Sequence, residues 1–324
     1  MELEFKKYPK LTNHYNIEKE RVFDNWMSEL YYSDEKIDGS NTQMTFLIEN
    51  NKIKDIKVGS RNHFIEADDK NNIAKVYSFV DKVKEAIEFN INLLPKDCVV
   101  RVFWEIFGAK IQQTKYDVTK DGNVDYRIFD VFIELPNDDT YVLGQYDLYN
   151  LLSKLDETSN YLSNLFKFSE DSDTLHDKLN HSLLDKSHYG DILCEGEVYH
   201  PLNTFKYTYG TTFPVVKRKH EEFMEVSRKP WKKKKKTSVA SSELIELTDK
   251  VSDYVTERRL DNILSHGDIS LEPKNIGLLI KEMNKDINEE YLKENPDTDE
   301  SLLEQALRRL NKDIALTIKN RIGV

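Results

Sequence analysis

Only two of the 324 residues are cysteine, Cys98 and Cys194. Both sit in apolar, strand-like segments, so a disulfide framework and a cysteine zinc site are excluded and a reducing compartment, the cytoplasm, is expected. The chain also lacks an apolar run of membrane-spanning length. Its opening, Met1-Glu2-Leu3-Glu4, has neither the basic nor the apolar region of a signal peptide, and no membrane partner is expected. An excess of positive charge is missing as well. The net charge of −11 excludes a general basic coat for nucleic acid, although a local basic channel can persist within an acidic average. What remains is a chain with 32% charged and 39% hydrophobic residues, long enough for one substantial core and a second, smaller domain.

Up to about residue 226, helix-like and strand-like patterns alternate. Met44, Phe46 and Ile48 alternate with Thr45 and Leu47, the period of a two-faced strand. Residues 98 to 107 and 126 to 133 form two further runs rich in Val, Ile, Phe and Tyr. Between these strands, Val76, Phe79, Val80, Val83, Ile87 and Ile91 recur at helical spacing, and residues 145 to 190 read as mostly helical, with Leu148, Leu151, Leu152 and Leu155 on one face and Leu175, Leu179 and Leu183 on another. An α+β domain with antiparallel sheets is expected over residues 1–228. The composition then shifts at Lys229-Pro230-Trp231 and the five lysines Lys232 to Lys236, a linker over 229–239 in which most lysines read as solvated. Residues 240–324 carry only helical patterns: Leu244, Leu247, Val251 and Val255; Ile276, Ile280, Met283 and Ile287; then Leu303, Ala306, Leu310, Ile314 and Ile318. Ser242 is a candidate N-cap for the first helix, and Asp297 with Glu300 forms a capping-box-like start to the third.

Chemistry is concentrated in a few strings. In Glu35-Lys36-Ile37-Asp38-Gly39-Ser40-Asn41 a lysine stands at fixed spacing before an aspartate, a glycine and an asparagine. Lys36 is a candidate covalent nucleophile, since a lysine amine attacks phosphorus when a partly dry, cationic pocket depresses its pKa. Asp38 would orient the amine or a metal-bound water, and Gly39 would let the backbone approach a ligand. The same string also reads as a hairpin turn. Glu105 is an acid in an otherwise apolar strand, on the face opposite Trp104 and Ile106, and needs a partner there. Glu195 and Glu197 flank Gly196 and are expected to share one face, where carboxylates suit Mg²⁺. Lys217 and Lys219 project to one side, a pair that attracts phosphate. Each has a plain alternative: Glu105 bridged to Arg101, the two glutamates at an exposed turn, the two lysines on the wet face of an edge strand.

Taken in order, these strings resemble the covalent lysine nucleotidyltransferase superfamily of polynucleotide ligases and capping enzymes, and within it the RNA ligase 2 family. Phe5-Lys6-Lys7-Tyr8 with Leu11, Asn13, His14 and Tyr15 looks like that family's N-terminal signature. Lys36-Ile37-Asp38-Gly39 with Asn41, Ser60-Arg61-Asn62, Val102 to Gly108, Tyr126-Arg127-Ile128-Phe129-Asp130, Glu195-Gly196 and Val215 to Lys219 resemble its successive motifs. The resemblance spans the chain. It implies an α+β nucleotidyltransferase domain, ATP-grasp-like, with antiparallel sheets, followed by a small all-α C-terminal domain that docks RNA. It also implies an ATP-dependent RNA ligase that seals 3′-OH and 5′-phosphate ends, with nicks in duplex RNA as the expected substrate, in three in-line transfers through a lysyl-AMP and an adenylylated RNA end.

By the same resemblance Lys36 carries the AMP; Glu35 and Ile37 lie beside the adenine, Phe129 stacks on it, and Asn41 and Arg61 lie near ribose and phosphate. Lys217 and Lys219 grip the α-phosphate and hold Lys36 neutral, while Glu105, Glu195 and Glu197 support Mg²⁺. ATP and Mg²⁺ are the implied cofactors and RNA the partner, with no obligate protein partner. Two positions depart from the family pattern: His200 stands where a lysine or arginine is common, and Asp34 where a basic residue often precedes the Glu-Lys pair. They bear on phosphate contacts and optimum pH. On general rules His200 reads equally well as a surface histidine. Other readings are a DNA ligase or capping guanylyltransferase, a small-molecule adenylating enzyme, and a non-catalytic nucleic-acid scaffold. The first pair usually carries a C-terminal five-stranded OB-fold, and residues 240 to 324 hold no such run of strands; the scaffold would have lost the lysine or the acids.

Overall fold

A computed structural model describes residues 2–68, 72–112, 114–155, 173–224, 242–265 and 269–323. The lysine-rich stretch 229–239 lies outside them. The chain divides into two compact units, Met1–His220 and Glu221–Val324.

Twelve strands occur among the described residues of the first unit. In chain order they are β1 (Thr12–Asn13), β2 (Leu30–Glu35), β3 (Ser40–Glu49), β4 (Lys52–Gly59), β5 (Phe64–Ile65), β6 (Cys98–Gly108), β7 (Val124–Glu134), β8 (Thr140–Val142), β9 (Asp173–Thr174), β10 (Gly196–Pro201), β11 (Phe205–Tyr207) and β12 (Val216–Lys219). They form a five-stranded sheet ordered β1-β12-β10-β2-β9 and a seven-stranded sheet ordered β11-β8-β7-β6-β3-β4-β5. Every pairing within them is antiparallel except that of β1 with β12. The expected antiparallel α+β architecture is therefore present.

The alternation read in β3 is the reason for its placement. Met44, Phe46 and Ile48 enter the main core with Val100, Val102, Trp104 and Ile106 of β6, under helices α1 (Val80–Phe89) and α3 (Gln145–Leu152). The opposite face of the large sheet meets the small one through Phe103, Phe132, Val198, Phe213 and Val215. The short helix α2 (Asp117–Lys120) lies between β6 and β7 in the chain. The helical run expected from Val76 to Ile91 starts as a 3-10 segment, Asn72–Phe79, and becomes α-helical only at Val80.

Residues 145 to 190 are less helical than their leucine spacing predicts. Leu148, Leu151 and Leu152 are buried on α3, and α4 (Leu175–Asn180) buries Leu175, but Leu183 lies outside any helix, and 156–172 are outside the described residues. After α4 the chain folds back on itself. The Ser187 N–H donates to the Ile192 carbonyl at 2.9 Å and the Cys194 N–H to the Asp185 carbonyl at 3.2 Å, which satisfies backbone groups without a helix.

Arg101 is 1% exposed, and its guanidinium grips Glu134 at 2.7 and 3.2 Å, with Lys6 and the Tyr209 hydroxyl each 3.0 Å from the same carboxylate. Arg101 thus answers Glu134, which frees Glu105 for the cleft.

The second unit packs α5 (Ser242–Ser252), α6 (Glu257–Ser265), α7 (Ile276–Glu294) and α8 (Glu300–Ile322). Leu247, Val251, Met283, Ile287, Leu310, Ile314 and Ile318 meet in one core, each contributing about 1.5–3 kcal/mol on burial. Two expectations are corrected. Val255 belongs to the turn after α5, and the cap of α8 is Asp299, whose carboxylate accepts from the Leu302 N–H at 2.9 Å; Asp297 stands two residues too early to reach the first turn. Helix α6 escaped the pattern because its buried face includes a charge, Arg259, which bonds Asp286 and, at 3.0 Å, the Tyr254 carbonyl. Among the described residues no helix is long and apolar enough to cross a membrane.

Candidate functional site

The strings singled out by sequence converge between the two sheets. The Lys36 N–H donates to the Gly196 carbonyl at 2.8 Å, which ties the end of β2 to the start of β10. There the Lys36 ammonium lies 2.9 Å from Glu195 Oε2, and the Lys219 ammonium lies 2.9 Å from Glu195 Oε1. Glu195 is thus an anionic bridge between two cations. Its side chain is 3% exposed and that of Lys36 is 21% exposed, so the amine is reachable while its partner is sealed. The expected assembly of cations around Lys36 therefore contains a carboxylate at its centre.

Gly196 makes this possible. Its φ of +149° is one that L side chains rarely adopt, and a Cβ there would lie 2.0 Å from the Arg218 carbonyl. The same kink undoes an expectation. Glu195 and Glu197 do not share a surrounding: the Glu197 carboxylate accepts from the Tyr199 hydroxyl at 3.0 Å, while burial raises its pKa and Arg218, Lys178 and His181 oppose the rise. None of those groups belongs to the Lys36 cluster. Lys217 and Lys219 do share a face, because their cross-strand partners are Val198 and Gly196.

On the large sheet, Asn41, Glu105 and Arg127 are direct cross-strand neighbours, so they form a row facing the small sheet. Burial pushes the Glu105 carboxyl up to about 8; Lys36 and Arg61 pull against the rise, and Glu195 and Asp38 add to it. A half-buried acid with two cations and two acids around it is the partner-seeking group that its strand position predicted. Gly39 is needed here, since a Cβ would lie 2.5 Å from the Ile106 carbonyl and 2.7 Å from Glu105 Cγ. The close approach it allows is to β6. Ile37 is buried against Phe107 and Tyr116. Asp38 is clamped on both sides, its N–H donating to the Tyr116 hydroxyl at 2.7 Å and its carboxylate accepting from Thr114. Arg61 follows Ser60, which is tied by its N–H to the His63 carbonyl at 2.9 Å.

Phe129 lies at a β-bulge. Asp130 pairs with Phe103 and Ile128 with Trp104, which leaves Phe129 as the extra residue on β7. Tyr126 and Ile128 before it, and Val131 and Ile133 after it, all enter the main core, so the bulge slips the alternation by one and leaves both Phe129 and Asp130 on the other face. Phe129 is partly buried there, with the Tyr8 ring edge-on at 5.0 Å.

Sequence reasoning missed the groups behind these residues. The Glu35 carboxylate accepts from the His188 backbone N–H at 2.7 Å and lies 2.9 Å from the His188 ring, so Glu35 points to the 187–192 segment. Asp34 pairs with Arg127 at 2.9 Å. His200 is 3% exposed, with Nδ1 3.3 Å from Asp130 Oδ1, which overturns the surface reading. A charged residue inside an apolar strand requires a buried partner; the rule applied to Glu105 would have marked Arg127 and Asp130 too.

Among the described residues no three His, Cys, Asp or Glu side chains converge to hold a metal ion. Mg²⁺ takes one or two carboxylates and keeps several waters; Glu105 fits such an ion, whereas Glu195, whose two oxygens are held by Lys36 and Lys219, would support it only when those cations turn to the phosphates.

The RNA ligase family model matches residues 29–252, and the T4 RNA ligase 2 C-terminal model matches residues 237–321. No curated protein sequence gives a significant match. Solved structures similar to the chain include a mutant Naegleria gruberi RNA ligase with ATP and Mn, at 15% identity and a TM-score of 0.41 over 68% of this chain and 57% of that one. The Naegleria gruberi RNA ligase with PPi matches at 14% identity and a TM-score of 0.42 over the same shares. The chain thus spans just over half the length of those ligases.

Proposed function

The chain belongs to the RNA ligase family, and from that premise we propose that it is an ATP-dependent RNA ligase joining 3′-OH and 5′-phosphate ends, with duplex nicks as substrate. The observation that carries the reading is the bridge of Lys36, Glu195 and Lys219 beside Glu105. Lys36 Nζ, once its ammonium proton has passed to solvent, attacks the α-phosphorus of ATP; a P–N bond forms and pyrophosphate leaves. The AMP passes to an RNA 5′-phosphate as the P–N bond breaks, and a 3′-hydroxyl then attacks that activated phosphate and expels AMP.

In each step the residues align and neutralise rather than react, apart from Lys36. Glu195 accepts from the amine and aims it. Lys217 and Lys219 meet the α-phosphate, Asn41 and Arg61 the ribose and phosphates, Phe129 the base face, with Ile37 at the adenine edge and Glu35, its carboxylate held by His188, reaching that edge through its backbone. A divalent cation, Mg²⁺, supported by Glu105 and Glu195, would supply charge stabilisation on the phosphate oxygens. Glu197 is left out of that set because its partners lie elsewhere. The helical unit, with its own family match, is assigned to RNA docking; it also favours this reading over a DNA ligase or guanylyltransferase with an OB-fold.

The test is labelling with α-labelled ATP against α-labelled GTP. Covalent label from ATP alone is expected. Lys36→Ala should abolish it yet still seal a pre-adenylylated RNA end, since the last step needs no free amine. Acid-labile label that persists on Lys36→Ala would refute the nucleophile.

A further inference from the structure

Behind the cleft, two buried ion pairs join the sheets. Asp34 of β2 meets Arg127 of β7 at 2.9 Å, and His200 of β10 meets Asp130 of β7 at 3.3 Å, with His200 and Asp130 only 3% and 2% exposed. The His200 ring lies flat on Tyr32, its β2 partner, at 5.2 Å and 17°. Asp130 also accepts from the Tyr8 hydroxyl. Phe129 sits between the two β7 anchors and, as the extra residue of the bulge, has no cross-strand partner to direct it. Its direction depends on its neighbours. Arg127 is tied to the small sheet on one side of it, and Asp130 on the other, while the Tyr8 ring that Asp130 holds packs against Phe129 itself.

We infer that His200 is a positioning residue for the nucleotide: as an imidazolium paired with Asp130 it holds the bulge that presents Phe129, and affinity for ATP falls when that charge is lost. The inference rests on the ATP reading above. The groups facing His200 are Asp34 and Tyr32 from β2, Asp130 and Arg127 from β7, and Tyr8 through Asp130. With His200 charged, two anions face two cations. With it neutral, one negative charge is left over in a dry layer, where an uncompensated carboxylate is costly. Burial works against the imidazolium, but Asp130 and Asp34 outweigh burial and Arg127, so the His200 pKa is raised from its usual value. The sign follows. The pairing is complete below about pH 6.5, the value of a free histidine, and is lost as pH rises through the higher folded value.

The experiment measures KM for ATP and kcat of lysyl-AMP formation from pH 6 to 9.5, using the full chain, His200→Gln and Asp130→Asn, with melting curves alongside. His200 Nδ1 and Asp130 form a buried ion pair at 3.3 Å, and removing one partner strands the other charge, so at pH 6 His200→Gln should raise KM about tenfold or more with kcat little changed. The gap should close as pH rises, because the parent then loses the charge the variant never had. Asp130→Asn should flatten the same limb, and it serves alone if His200→Gln does not fold. A purely structural role would give one ratio at every pH. A constant ratio, a His200→Gln equal to the parent at pH 6, or an Asp130→Asn that keeps the parent's pH profile would overturn the inference. Failure of the parent to form lysyl-AMP from ATP at any pH would sink the ATP reading and this inference with it.

Discussion

Replacing Glu105 by Gln should make the ligand-free protein more stable and less active, and the size of the gain should depend on pH. Burial holds the Glu105 carboxyl at about 8 in the folded chain, against about 4.3 for an unfolded glutamate. Below both values the group is neutral in either state and contributes nothing. Between them the unfolded chain ionises Glu105 and the folded chain does not, so stability falls by about 1.36 kcal/mol per pH unit, up to about 5 kcal/mol by pH 8. Water at the mouth of the cleft still reaches this half-buried side chain, and a penalty of about 3 kcal/mol is the better expectation. Gln never ionises and escapes it.

For a unit of some 200 residues, about 3 kcal/mol corresponds to a rise in Tm of roughly 6–12 °C. Thermal melts in chelator should therefore superimpose near pH 4.5 and separate by that amount, with the variant higher, near pH 8.5. The same variant, and Glu195→Gln, should each lose at least about tenfold in turnover across a Mg²⁺ titration, as removal of a metal-supporting group does. Such opposition between stability and activity is expected of an acid held in place for a ligand. A gap in Tm that stays constant from pH 4.5 to 8.5 would refute the electrostatic account of Glu105. Parent-like turnover in both variants would move the metal site elsewhere.

Glu134→Ala should destabilise the first unit by about 3–5 kcal/mol in urea denaturation, because it strands the buried Arg101 guanidinium; a loss under about 1 kcal/mol would mean that water reaches Arg101. A fragment ending near residue 228 should still take up labelled AMP, yet bind and seal a 5′-phosphate RNA nick poorly and with a weaker salt dependence, since phosphate contacts release counterions. Parallel loss of adenylylation and Tm in that fragment would instead make the helical unit a stabiliser.

Sequence by itself determined the parts that depend on local period and on residue type. The alternation of Met44, Phe46 and Ile48 and the apolar stripes of Met283 to Ile287 and Leu303 to Ile318 placed strands and helices correctly, because each element must bury one face whatever its neighbours are. The nucleophile string, the lone acid of β6 and the Lys217, Lys219 pair were legible for a similar reason: a charge at a fixed place in an apolar pattern needs an explanation there. Only the tertiary structure decided what those charges face. Nothing local says that Glu195 lies between Lys36 and Lys219 while Glu197, two residues on, turns to Tyr199, since between them stands a glycine where a Cβ would strike the Arg218 carbonyl of another strand. The bulge at Phe129 is a mismatch in count between β6 and β7, visible only once the two are paired. Arg101 chose Glu134 over Glu105, and Asp34 and His200 found Arg127 and Asp130, because buried ion pairs, within one sheet or across two, are selected by which strands meet, and that pairing joins residues about 33 to 93 positions apart.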